Sequence, residues 1–359
     1  MASNAVDIFH HIHGYVTTRA LITACNLKIF DLLKSGPQSV QELCVTINTD
    51  HYATQQLLNA LVAMGYIDKK EHKSASRRDK SEVRFHINET SEKYLTSASP
   101  HSMIPVVELT ERTMFPLARN LSHAVREGRP QMERAFGNDS SKMFLPDLLA
   151  SNPDEWQYFM MAMHAYRKNF HCDAATQLFD LSSYRCACDL GGGTGVVSFA
   201  LSDAYPAMKI IVYDLPIVID IAQQFLHQRS PYFKSNVSFQ AGDPLQNNLP
   251  KADLFVLSGS IHIWPEDQLS IVLAKIYEAL SSDGALLILE PVLGDNSERG
   301  DSNLEMFSLV VLMAFGSRHR SQMEYRDLLR QHRFGSVKIK RSGLLCDAVL
   351  ATKNRQAWD

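Results

Sequence analysis

Cysteine is scarce in this 359-residue chain: there are six, scattered from Cys25 to Cys346. So thin a spread argues against a disulfide framework and for free thiols in a reducing compartment. Charge of one sign is not in excess either, with 36 Lys and Arg against 39 Asp and Glu, a net of −3. That balance offers no bulk attraction to nucleic acid or anionic lipid, so neither is expected as a partner. Long hydrophobic runs are missing too. The longest, such as Ala285–Leu289 and Leu309–Phe315, fall far short of the roughly 20 residues of a membrane span. Residues Met1–Val16 lack the basic-then-apolar order of a leader. A cytoplasmic protein without a membrane segment is therefore expected. What is plentiful is apolar content, 45% of the residues, enough to bury the cores of two domains.

Apolar residues recur at helical spacing from Val16 to Leu33, and Ser35-Gly36-Pro37 stops them. Ser39 then caps a shorter helix with Glu42 as its capping-box partner, and another helix runs from Tyr52 to Met64 before Gly65. A charged stretch from Lys69 to Glu82, with Arg77 and Arg78, leads to a strand over Val83–Ile87. The pattern predicts a winged helix over residues 1–102. Its candidate recognition helix, Asp50 to Gly65, has no Lys or Arg, although groove readers need cations for phosphate and guanine. Leu57, Leu58, Leu61, Val62 and Met64 suit core or dimer packing instead.

Residues 103–170 read as a helical bridge broken at Gly128-Arg129-Pro130 and Asn152-Pro153, with an apolar stripe of Trp156, Phe159, Met160 and Met163. The stripe is either ordinary core or a small-molecule lining, for which Phe159 and Met163 are candidates. After Leu181 strand and helix signals alternate, as in a parallel sheet with crossover helices. Strands are expected at Arg185–Leu190, Lys209–Tyr213, Val237–Ala241, Leu254–Leu257 and Ala285–Leu289. Ser336–Lys340 and Asp347–Ala351 flank Gly343 as a hairpin at the sheet edge. Cys186 and Cys188 are expected on opposite faces of one strand, as core thiols rather than a redox pair. His10, His11 and His13 suggest an exposed helix start, since no second cluster completes a metal site.

The run Asp189-Leu190-Gly191-Gly192-Gly193-Thr194-Gly195 follows a strand and opens a helix near Val196. Glycines there let a ligand approach backbone N–H groups at a helix N-terminus. A dinucleotide fingerprint needs glycine where Val196 stands, so nicotinamide and flavin are disfavoured. The G-x-G-x-G spacing after an acidic residue resembles motif I of S-adenosylmethionine-dependent methyltransferases. Asp214 ends the second strand about 20 residues on, where an acidic side chain takes ribose hydroxyls in such folds. By itself it reads equally as a helix cap.

Ser258-Gly259-Ser260-Ile261-His262-Ile263-Trp264 follows the fourth strand, at the carboxyl edge where open α/β sheets bind ligands. This segment and Glu290 closing Leu287-Ile288-Leu289-Glu290 resemble the small-molecule O-methyltransferases, acetylserotonin O-methyltransferases among them. So do the winged-helix front, Ala124-Val125-Arg126-Glu127-Gly128, and the tail from Lys340 to Ala351. The resemblance covers nearly the whole chain and implies S-adenosylmethionine as cofactor, a small-molecule methyl acceptor and a homodimer. It implies cofactor contacts at Asp189, Gly191, Gly193, Asp214, Gly242 and Asp243. His262 would be the general base, and imidazole is the side chain that titrates near neutrality. Glu290 would orient or charge-balance it.

Departures from the family accompany the matches. Ile263 stands where Asp commonly follows the histidine, Gly259 where the acetylserotonin enzymes carry a cofactor-site Arg, and His319 where an acidic residue begins Glu-Arg-Thr/Ser. Polar acceptor contacts fall on Val310 and Ala314. Catalysis is thus expected from His262, Glu290 and His319, no metal site, and an acceptor lining of Phe159, Met163, Ile263, Val310 and Ala314. The fold class is α/β: a doubly wound, Rossmann-like methyltransferase sheet over residues 171–359, a helical bridge over 103–170 and a winged-helix dimerisation domain over 1–102. The activity expected is O-methylation of a small aromatic or heteroaromatic hydroxyl. N-methylation, or cofactor binding with little transfer, are the alternatives.

Overall fold

Ser39 caps its helix as the local sequence dictates. Its side chain accepts from the Glu42 N–H at 3.3 Å, and the Glu42 carboxylate accepts from the Ser39 N–H at 2.7 Å. In a computed structural model of the chain, the described residues are 5–72, 82–137, 153–228, 235–295 and 302–354. They fall into two units, Met1–Glu111 and Arg112–Asp359.

The first unit begins with α1 (Ala5–Asn26), α2 (Ile29–Lys34), α3 (Val40–Ile47) and α4 (His51–Ala63). An antiparallel pair, β1 (Ile67–His72) and β2 (Glu82–Ile87), and α5 (Glu89–Tyr94) and α6 (Ile104–Leu109) follow. Ile29, Phe30, Leu33, Leu43, Leu58, Leu61 and Phe85 form its core. The single helix expected from Val16 to Leu33 is two, because Lys28 takes a left-handed φ of 56° and turns α2 into the core against β2 and α5. Periodicity alone cannot register that break. Arg77 and Arg78, in the charged stretch, lie outside the described residues. His10, His11 and His13 are exposed on α1.

A π-type turn at Thr110–Met114 leads into α7 (Phe115–Ala118), α8 (Leu121–Glu127) and α9 (Met132–Phe136) of the second unit. Gly128 ends α8 with φ +62°. The long α10 (Pro153–Gln177) follows; Asn152, at the expected break, is outside the described residues. Next come β3 (Cys186–Leu190), α11 (Val196–Ala204), β4 (Lys209–Asp214), α12 (Pro216–Gln228) and β5 (Val237–Ala241). After them lie β6 (Ala252–Ser258), α13 (Glu266–Ala279), β7 (Leu280–Glu290), β8 (Val292–Leu293) and α14 (Ser302–Phe315). The chain closes with β9 (Arg320–Ser321), α15 (Gln322–Gln331), β10 (Val337–Lys340) and β11 (Asp347–Thr352).

Seven strands form one mixed sheet in the order β10-β11-β7-β6-β3-β4-β5. The five from β7 to β5 are parallel, and the β10–β11 hairpin adds antiparallel to β7 at one edge, as its sequence suggested. Both faces are covered. Val272, Leu273 and Ile276 of α13 and Tyr325 and Leu329 of α15 pack on one, while Ala174 and Ala175 of α10 and Val197 and Leu201 of α11 pack on the other. Burial on both faces explains why β6 and β7 read as continuous apolar runs rather than alternating ones. This is a doubly wound, Rossmann-like arrangement. Cys186 and Cys188 face the same side, against the α13 and α15 cluster. The opposite-face expectation is corrected, since residues two apart in a strand share a face.

Candidate active site

The glycines dictate the turn after β3. Gly191, Gly193 and Gly195 have φ of +72°, +59° and +75°, a region other residues avoid. At Gly192 space decides instead: a Cβ would lie 2.8 Å from Val212 and 2.9 Å from the Asp189 carboxylate. Beneath the turn Asp189 is buried. Its Oδ2 accepts from Ser198 Oγ at 2.7 Å, while its buried Oδ1 has no hydrogen-bond partner. Burial pushes its carboxyl up to about 6.

Asp214 closes β4, its Oδ2 accepting from the Gly193 N–H and its Oδ1 from the Leu215 N–H, each at 2.8 Å. Burial raises this carboxyl too, against those two donors. Past β5, a side chain at Gly242 would run into the Tyr213 ring, and Asp243 Oδ1 accepts from the Leu245 N–H at 2.8 Å. Asp189, the glycine turn, Asp214, Gly242 and Asp243 therefore stand in order at the carboxyl ends of three neighbouring strands.

A second cluster sits at the ends of β6 and β7. Glu290 is fully buried, and both of its oxygens lie 3.0 Å from His262 Nδ1. Its Oε1 also accepts from the Ile261 N–H at 3.2 Å. Burial raises the Glu290 carboxyl, but the imidazoles of His262, His319 and His171 outweigh it and hold the group well below the usual carboxylate range. An ionised Glu290 only accepts, so it fixes the proton on His262 Nδ1 and leaves Nε2 with its lone pair. The His262 ring is wedged edge-on between Phe315, at 5.4 Å between centroids, and His319, at 5.5 Å. His319 in turn stacks on Phe307 at 5.2 Å and pairs its Nδ1 with Ser308 Oγ at 3.0 Å, leaving a buried Nε2 without partner. His262, Glu290 and His319 offer ligand atoms within 4.8 Å of one another, the one group among the described residues spaced to hold a metal ion.

Residues 118–335 match the O-methyltransferase domain family and residues 9–97 the O-methyltransferase dimerisation domain. The chain belongs to the O-methyltransferase family. Acetylserotonin O-methyltransferase of Bos taurus is 32% identical over 347 residues, 96% of each chain. A Homo sapiens relative named "Probable bifunctional dTTP/UTP pyrophosphatase/methyltransferase protein" is 33% identical over 95% of this chain, which spans 53% of that protein's length. The crystal structure of human N-acetylserotonin methyltransferase in complex with SAM superposes with a TM-score of 0.87 at 28% identity, covering 98% of this chain and 99% of that one.

The three expected catalytic side chains of this O-methyltransferase thus come together. Phe159, Val310 and Ala314 share one apolar cluster with Trp156, Met160, Met313 and Phe315. Met163 is half-buried one turn farther along α10. Ile263 lies elsewhere, packed with Trp264 against the α13 and α15 cluster. The polar face of α10 went unread in the sequence. His164 Nδ1 pairs with Thr194 Oγ1 at 2.9 Å, Arg167 donates to Gly191 O at 3.2 Å, and His171 Nδ1 pairs with Ser258 Oγ at 2.9 Å. Their spacing, i, i+3 and i+7, was the available signal.

His171 and His319 are held neutral by burial, which lowers them to about 3 and about 4. For His171, Arg167 and His262 act in the same direction and Glu290 opposes them. A folded-state value below the unfolded one, about 6.5, means that the unfolded chain binds the proton first. Stability is thus full above about pH 6.5 and falls as pH drops toward the folded values. In His171→Phe one of these contributions disappears. By urea denaturation, the stability gap between wild type and the variant should shift by about 1 kcal/mol in the variant's favour from pH 7.5 to pH 5.5; a constant gap contradicts a neutral His171.

Proposed function

We propose that this O-methyltransferase transfers the methyl group of S-adenosylmethionine to a hydroxyl of a small aromatic or heteroaromatic acceptor, with His262 as general base. The observation that carries the proposal is the His262–Glu290 pair: a buried carboxylate fixing one ring nitrogen and leaving the other, on a side chain 12% exposed, to take a proton.

The residues fit the cofactor. Asp189 keeps a buried oxygen unpartnered, and the glycine turn leaves no room for side chains. Asp214 has spent two of about four lone-pair sites on backbone donors and keeps the rest for ribose hydroxyls. Asp243 and Gly242 stand one strand farther, for adenine. When bound, S-adenosylmethionine supplies a methyl group activated by the sulfonium. The chain supplies position and proton removal, which such a displacement needs most. Glu290 holds the imidazole plane and tautomer and balances the charge His262 gains. His319 packs against that ring and presents Nε2 for an acceptor. Phe159, Met163, Val310 and Ala314 form an apolar wall next to Phe315, to which the 103–170 segment contributes.

The first unit supports a homodimer. On α1 Ile8, Phe9, Ile12, Tyr15 and Val16 are exposed, with Ile12 and Tyr15 each at 62%, within or beside the segment that matches the dimerisation domain. A second copy can cover that stripe.

His262→Ala should lower turnover by about 10²–10⁴-fold while S-adenosylhomocysteine binding, read by calorimetry, stays near wild type; retained turnover excludes the role. Acetylserotonin should be a poor acceptor, with kcat/KM below about 10⁴ M⁻¹s⁻¹, because Val310 and Ala314 leave amide groups unmet and His319 replaces a carboxylate. A steady-state assay with labelled methyl donor decides it. Ile12→Glu should shift the sedimentation coefficient from dimer to monomer at micromolar concentration; an unchanged coefficient removes α1 from the interface.

A further inference from the structure

Arg167 lies on α10 with 9% of its surface exposed, and its Nη1 donates to the Gly191 carbonyl at 3.2 Å. A Cβ built on Gly193 would stand 2.9 Å from that Nη1, and one built on Gly259 would stand 3.6 Å from its Nε. The guanidinium therefore bridges the glycine turn after β3 and the loop after β6. Gly259 itself has φ +61°, and a side chain there would meet the His171 ring at 3.2 Å. A side chain at 259 is thus unsuited to this loop, and helix α10 delivers a cation beside it.

A buried guanidinium is costly without an anionic partner. Asp189 and Asp214 are near enough to feel its charge, but their oxygens accept from Ser198 and from Gly193 and Leu215, and among the described residues no carboxylate lies in ion-pair contact with Arg167. Strand order supplies the missing partner. With adenine at Asp243 after β5 and ribose at Asp214 after β4, a ligand laid across the tips of β5, β4, β3 and β6 brings its amino-acid end to β3 and β6, under Arg167.

We propose that Arg167 is the residue that grips the amino-acid carboxylate of the methyl donor, from a helix rather than from the loop before His262. The inference rests on S-adenosylmethionine being the cofactor. Arg167 is a positioning residue, since its fork matches a carboxylate in two parallel hydrogen bonds and sets how far the donor reaches toward His262.

The test compares two ligands of the full chain by calorimetric titration: S-adenosylhomocysteine, and 5′-methylthioadenosine, which keeps adenosine and thioether but lacks the amino acid. Arg167→Met should weaken S-adenosylhomocysteine by about 10- to 100-fold, the range for charge-assisted hydrogen bonds, and change 5′-methylthioadenosine by less than about threefold. Arg167→Lys, which keeps the charge without the fork, should show a smaller loss with the same selectivity, and it carries the test if the Met variant does not fold. A loss shared equally by both ligands, as from a purely structural arginine, overturns the inference. So does S-adenosylhomocysteine affinity left within about threefold of wild type in the Met variant. Wild type binding neither ligand would overturn the cofactor reading itself, which distinguishes the two failures.

Discussion

A single ionised carboxylate, Glu290, sits at the carboxyl end of β7 with no exposure to solvent, and the architecture of the site follows from keeping it there. A buried charge survives only when surrounded by donors and countercharge. The Ile261 N–H and His262 Nδ1 supply the donors. The imidazoles around it are fixed in turn, His171 by Ser258, His319 by Ser308 and Phe307, and His262 by the rings on either side. The carboxylate thereby orients His262, while burial keeps His171 and His319 neutral against its pull.

The cofactor edge obeys a different constraint, steric rather than electrostatic. At the turn after β3 the backbone passes so close to Val212 and Asp189 that no side chain fits, and its left-handed residues exclude Cβ atoms. Backbone polar groups are left at the mouth of the sheet, and α10 closes over them with His164 and Arg167. Long helix and glycine turn are complementary, one carrying the functional groups that the other cannot.

Local and periodic features were legible in the sequence. The Ser39–Glu42 capping box, the strand cores of β3 to β7, the terminal β10–β11 hairpin and the glycine turn all follow from interactions within a few residues. Errors arose where a choice depended on distant partners. The Lys28 break separates α1 from α2 because α2 packs against β2 and α5, which no window over 16–33 contains.

By itself, the sequence determined the class of fold, the order of acidic and glycine residues along the sheet's ligand edge, and the family, because these depend on spacing and short-range chemistry. Only the tertiary structure decided that His262 and Glu290, 28 positions apart, share a proton. It alone showed that His319 joins them and that the polar face of α10 lies over the glycine turn. The physical reason is that burial and countercharge are sums over everything that surrounds a group, and most of what surrounds Glu290 and Arg167 arrives from elements far away in the chain.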